Sequence, residues 1–136
     1  MNAVRRRAAS TVAALALTAA ATLAATGTAE AAVGPSVCGA GYNVVETVSI
    51  GSVGKLYLTW NASTGKNCAV TIRNTPGPAV WMEVWVTRLD TGAGDVDNGY
   101  YTQYAGPVYI NGRGTCIAFG GTIGDVSVTR GPGHCG

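Results

Sequence analysis

The chain reads as all-β: a small antiparallel β-sandwich or barrel stapled by two disulfides. Three observations predict this. Twenty glycines and five prolines break the sequence into short intervals. Those intervals are filled by β-branched and aromatic residues, with no sustained 3.6-residue apolar period. Four cysteines follow a segment that reads as an export signal, and an even cysteine count outside the cytoplasm reads as a disulfide framework.

The export signal comes first along the chain. Arg5, Arg6 and Arg7 form a cationic head, followed by a small apolar run from Thr11 to Ala25 and an A-x-A element at Ala29-Glu30-Ala31. This order is that of a secretory signal peptide, and the run is too short and alanine-rich for a membrane anchor. Cleavage is expected after Ala31. The chain then divides into a signal peptide, residues 1–31, and a single secreted β-domain, residues 32–136.

The whole chain carries a formal charge of +2. Beyond Ala31, Lys55, Lys66, Arg73, Arg88, Arg113 and Arg130 stand against Glu46, Glu83, Asp90, Asp95, Asp97 and Asp125, which leaves no net charge. A nucleic-acid binder carries a basic stripe, and none is present. A neutral domain has little electrostatic resistance to settling on a surface.

Strands are predicted over Asn43–Ile50, Lys55–Asn61, Asn67–Asn74, Ala79–Leu89, Tyr100–Tyr104, Val108–Asn111, Cys116–Phe119 and Val126–Thr129. Turn signals separate them, including Ala62–Gly65, Asn98-Gly99 and Gly131-Pro-Gly133. In the second strand Leu56, Leu58 and Trp60 alternate with Tyr57 and Thr59. In the third, Cys68, Val70 and Ile72 alternate with Ala69 and Thr71. Joined as a hairpin, the two apolar rows are expected on one face.

The cysteines, Cys38, Cys68, Cys116 and Cys135, are spaced too widely for a zinc site, which needs close pairs. No metal and no cofactor are expected. Cys38–Cys68 with Cys116–Cys135 is the favoured pairing, since each bond ties a terminal segment to a strand. Cys38–Cys135 with Cys68–Cys116 is the alternative, because termini often meet.

The fourth strand is unusual. Val80, Met82, Val84 and Val86 make one row, and Trp81, Glu83 and Trp85 the other. Two arrangements fit: a central strand covered on both faces, or an outward aromatic shelf for a sugar or protein. On the shelf reading, Trp81, Trp85, Tyr57 and Tyr101 stack on sugar rings while Glu83 or Gln103 bonds hydroxyls. Alternation places Tyr101 and Gln103 opposite Tyr100 and Tyr104.

Catalytic constellations are wanting. The sole histidine, His134, lies in a glycine-flanked tail, unsuited to a positioned base. Glycosidase chemistry needs paired carboxylates, and Glu83 has no evident partner. Asp95-Val-Asp97-Asn98-Gly99 has part of a calcium-loop spacing but lacks its full order, so an ordinary polar turn is expected. Asn61-Ala-Ser63 matches a glycosylation sequon within a hairpin turn. The chain is expected not to be an enzyme.

Several segments together resemble a known family: Leu56-Tyr-Leu-Thr-Trp-Asn61, Gly65-Lys-Asn-Cys-Ala-Val-Thr-Ile-Arg-Asn74, Tyr101-Thr-Gln-Tyr-Ala-Gly-Pro-Val-Tyr109 and Gly112-Arg-Gly-Thr-Cys-Ile117. With Val37-Cys-Gly-Ala-Gly-Tyr42 and the His134-Cys135-Gly136 end, they resemble the spore-associated protein A family of sporulating actinomycetes. The resemblance implies a small secreted protein found with the spore surface, and it carries no catalytic motif.

The expected function is therefore a non-enzymatic, secreted protein of the spore or cell surface, in a structural or coat role. Its expected partners are spore or cell-wall components, polysaccharide among them, with no nucleic acid and no integral membrane span in the mature protein. One alternative is a module binding wall polysaccharide through Trp and Tyr. Another is a secreted inhibitor or small toxin, for which Arg73-Asn-Thr-Pro-Gly-Pro78 is the candidate reactive loop.

Overall fold

A computed structural model describes residues 34–136; the expected signal peptide, residues 1–31, lies outside the described residues. A 3-10 turn, Pro35–Cys38, precedes eight strands: β1 (Asn43–Ile50), β2 (Gly54–Asn61), β3 (Lys66–Arg73), β4 (Val80–Arg88), β5 (Gly94–Tyr101), β6 (Tyr104–Asn111), β7 (Ile117–Ile123) and β8 (Val126–Gly133). They form two four-stranded sheets, ordered β1-β2-β3-β6 and β5-β4-β7-β8. Every pairing is antiparallel.

The sandwich follows from strand alternation. Val48, Ile50, Leu56, Leu58, Ala69, Ala105 and Val108 project inward from one sheet. Met82, Val84, Val86, Ile117, Phe119 and Ile123 meet them from the other. Burying each large side chain is worth about 1.5–3 kcal/mol. At the centre Gly121 allows the sheets to approach, for a Cβ there would stand 2.2 Å from Thr71 Oγ1. That Thr71 hydroxyl is buried without a hydrogen-bond partner.

Both disulfides of the favoured pairing are present, Cys38–Cys68 and Cys116–Cys135. The first lies in a second, smaller core outside the main one, and this corrects the hairpin reading. Leu56 stands opposite Thr71 and Leu58 opposite Ala69, while Tyr57 faces Val70. The turn Ala62–Gly65 holds four residues between the paired Asn61 and Lys66, so each even position meets an odd one. The two apolar rows therefore lie on opposite faces. Leu56 and Leu58 enter the inter-sheet core; Cys68, Val70 and Ile72 pack outside it with Cys38. Val37, Tyr42, Tyr57, Tyr104 and Tyr109 cover this outer cluster.

A second correction concerns the segment after Gly94. The expected polar turn at Asp95–Gly99 is strand, and the expected strand Tyr100–Tyr104 is divided by a turn at Thr102-Gln103. Asp95 and Asp97 are accommodated because their carboxylates find backbone donors on β6. Asp95 Oδ2 accepts the Tyr109 N–H at 3.0 Å, and Asp97 Oδ2 the Gly106 N–H at 2.7 Å. These bonds join the β5 edge of one sheet to the β6 edge of the other.

The opposite side is closed by Glu46. A register shift between Val44 and Glu46 interrupts the β1–β2 ladder. The Glu46 carboxylate meets His134 Nε2 at 2.6 Å and Arg130 Nε at 3.5 Å. The tail, already tethered by Cys116–Cys135, is thereby held against β1.

Candidate functional site

The outward face of the β5-β4-β7-β8 sheet presents a patterned surface. Residues paired across antiparallel strands share a face, so the register assembles it directly. Trp81 pairs with Tyr100, Glu83 with Asn98 and Thr122, and Trp85 with Val96 and Gly120. On β8, Ser127 lies opposite Thr122 and Thr129 opposite Gly120. Two aromatic rows thus flank a polar one.

Trp81 is 39% exposed, Val96 56% and Tyr100 72%. Trp85 and Glu83 are half-buried. The tryptophans are therefore not core residues; the core row of β4 is Met82, Val84 and Val86. Trp81 and Tyr100 meet edge to face, with ring centroids 5.6 Å apart and planes 75° apart. In the polar row, Asn98 Nδ2 donates to Glu83 Oε2 at 3.4 Å, and the Thr122 and Ser127 hydroxyls lie 2.8 Å apart.

Gly120 sets the posture of Trp85. A Cβ at this glycine would stand 2.5–2.6 Å from Cε2, Nε1 and Cζ2 of the indole. Those three consecutive atoms are the outer rim of the indole where its two rings join, so this rim lies across the space a side chain at position 120 would fill. The indole of the half-buried Trp85 therefore leans over β7, and part of it stays exposed.

The remaining sequence candidates lie elsewhere. Tyr57 belongs to the cluster on the outside of the other sheet, a sandwich thickness away from the tryptophans. Tyr101 packs against the inter-sheet core and donates its hydroxyl to Asp97 Oδ1 at 2.5 Å. That hydrogen bond, helped by desolvation and by the carboxylate's charge, raises the Tyr101 phenol above its ordinary value. Gln103 occupies the β5–β6 turn, where its carbonyl accepts the Arg73 N–H at 2.9 Å. The structure gathers Trp81, Glu83 and Trp85, and does not bring Tyr57, Tyr101 or Gln103 to them.

Sequence reasoning passed over Tyr100, Asn98, Thr122 and Ser127 as site residues. Their signal lay in the β4–β5 and β7–β8 registers, which put each on the tryptophan face.

Two other features bear on chemistry. Arg73 is folded back, its Nη1 donating to the carbonyls of Gly77, Pro78 and Thr102 at 2.9–3.3 Å, so the 73–78 loop does not project its cation. Asn61 is buried and its Oδ1 accepts the Ser63 and Thr64 N–H groups, so the sequon asparagine is locked into its turn. Among the described residues, no group of three or more His, Cys, Asp or Glu is placed to hold a metal ion. No helix among them is long and apolar enough to cross a membrane.

Over 100 residues the chain is 49% identical to the Spore-associated protein A of Streptomyces coelicolor. The match covers 74% of this chain and 65% of that protein, so the chain spans just under two thirds of the relative's length. No family model and no solved structure matches the chain.

Proposed function

The chain belongs to the spore-associated protein A family, and from that premise we propose that it is a secreted, non-enzymatic protein held at the spore or cell surface, in a structural or coat role. The observation that carries the reading is the relative's name together with the 49% identity. Two disulfides in a domain of this size suit an oxidising, extracytoplasmic setting. The sole histidine supports a non-catalytic reading, since its ring is committed to Glu46 of β1 rather than to Glu83. The exposed aromatic face of β4 and β5 is the surface through which attachment would occur.

A second reading, a module for wall or spore polysaccharide, is favoured by one observation: the tryptophans of β4 stand outside the core with a polar row between them.

The test is retention. Purified, disulfide-oxidised protein is mixed with washed spores and with vegetative walls, and the pellets are probed before and after high-salt and detergent washes. Retention on either surface is the expected result. Recovery wholly in the supernatant overturns the proposal.

A further inference from the structure

The polar row between the two tryptophans decides what kind of partner the β4 face fits. We infer that this face is a binding platform for an uncharged pyranose polysaccharide, lying along β4 and stacked on Trp85 and the Trp81–Tyr100 pair. The inference rests on the surface-attachment reading above and names its partner.

Three observations argue for this occupant. The first is shape. Trp81 and Trp85 are four residues apart on one strand, which separates them by roughly 13 Å along a straight line. Trp85 leans over Gly120 and stays partly exposed, and Trp81 is 39% exposed, so both offer aromatic surface on this face. The apolar face of a sugar ring packs on such a surface, and an extended glycan offers successive rings at spaced intervals.

The second is the arrangement of polar groups. Glu83, Asn98, Thr122 and Ser127 run across the sheet between the aromatic rows. They supply carboxylate, amide and hydroxyl groups, the donors and acceptors that sugar hydroxyls require. A carboxylate at the centre of the patch is poorly suited to a protein interface, whose core is depleted of charge. This favours a polyhydroxylated ligand over a second copy of the chain.

The third is charge. Across these rows the only carboxylate is Glu83; the other members are Trp81, Trp85, Val96, Asn98, Tyr100, Gly120, Thr122, Ser127 and Thr129. No lysine or arginine stands among them. An anionic polymer would meet a carboxylate without a neutralising cation, whereas a neutral glycan meets hydrogen-bonding groups and two apolar surfaces.

The experiment uses purified, oxidised protein and insoluble chitin, amorphous cellulose and β-1,3-glucan as probes, with washed spores run in parallel. Sedimentation gives the bound fraction and tryptophan emission reports contact. Native protein is expected to bind at least one neutral polysaccharide. Trp85→Ala and Trp81→Ala should each weaken binding about tenfold, equivalent to about 1.4 kcal/mol, and Thr122→Ala less. Tyr57→Ala, on the opposite face, should bind as the native protein does. Near-UV circular dichroism shows that each variant remains folded, and Glu83→Gln serves if a tryptophan variant does not.

Binding to spores without binding to any polysaccharide overturns this inference and leaves the surface reading standing; no binding to spores, walls or polysaccharide removes both. Unchanged polysaccharide binding in folded Trp81→Ala and Trp85→Ala proteins also overturns it. So does a concentration-dependent dimer that these substitutions dissolve in the absence of polysaccharide binding, which would make the face a self-association surface.

Discussion

The indole rim of Trp85 lies across Gly120, its partner across the β4–β7 ladder. The glycine's missing side chain is therefore filled by the ring, and the posture of the ring depends on the gap. Gly120→Ala places a methyl where three indole atoms already lie 2.5–2.6 Å away. The ring must lift or turn, at a cost of about 1–3 kcal/mol for overpacking. Urea unfolding should show lower stability, and the tryptophan emission should move to the red as the indole is pushed toward water. Unchanged emission and stability would mean that Gly120 does not set the ring's position.

Thr71 offers a change in the opposite direction. Its hydroxyl is fully buried between the sheets and has no partner. A buried, unpaired hydroxyl costs about 1–3 kcal/mol. Thr71→Val keeps the β-branched shape and removes the polar atom. The variant should be more stable than the native protein by about 1 kcal/mol or more, read as a higher denaturation midpoint with an unchanged slope. A loss of stability would show that the hydroxyl is satisfied in solution.

These two sites also show what the sequence made legible. Alternation along β4 separated Met82, Val84 and Val86 from Trp81, Glu83 and Trp85 without knowledge of any neighbour, because the period of a strand is local. Pairing is not local. Whether Cys68 shares a face with Leu58 turned on the parity of a four-residue turn, and one residue more or less reverses every side chain. The same limit hid Tyr100. Read by itself, Asp95–Gly99 has turn chemistry. It becomes strand because β6 offers the Gly106 and Tyr109 N–H groups to Asp97 and Asp95. Once β5 runs to Tyr101, Tyr100 falls opposite Trp81, and Tyr101 turns inward.

The two disulfides should differ in what they hold. Cys38–Cys68 closes a separation of 30 residues and Cys116–Cys135 one of 19. The chain-entropy estimate gives about 3.6 and about 3.2 kcal/mol respectively. Replacing Cys38 and Cys68 by serine also loosens the cover over Val70 and Ile72, so it should cost more than the estimate. Replacing Cys116 and Cys135 should release the tail, leaving His134 and Arg130 to hold Glu46 alone. Those exposed contacts are worth at most about 1 kcal/mol. Hydrogen exchange should then show faster exchange confined to β8 and the tail. Equal loss of protection across both sheets would contradict this division.

Stability should respond to pH only at the extremes for two of the protein's hydrogen-bonded pairs. The Tyr101 hydroxyl donates to Asp97, and this bond first, then desolvation and the carboxylate's charge, raises the phenol above its ordinary value. A raised folded value means that the contribution is complete below the unfolded value of about 10. It is lost as pH climbs through the folded one. Asp90 behaves in the opposite sense. The Arg88 guanidinium donates to both its oxygens at 2.7 Å and lowers the carboxyl to about 2. Its contribution is present above the unfolded value of about 3.9 and lost as pH falls toward 2. Denaturant unfolding of the native protein, Tyr101→Phe and Asp90→Asn across the acid and alkaline ranges measures both. The gap between native and Tyr101→Phe should be constant through neutrality and close above pH of about 10. The gap to Asp90→Asn should close only below pH of about 4. Absorbance titration near the tyrosinate band adds an independent readout. Tyr101 should ionise late, as should Tyr109, which burial and then Tyr42 also raise, and Tyr101→Phe should remove part of that late fraction. An Asp97→Asn variant in which Tyr101 still titrates late would break the link between the phenol and the carboxylate.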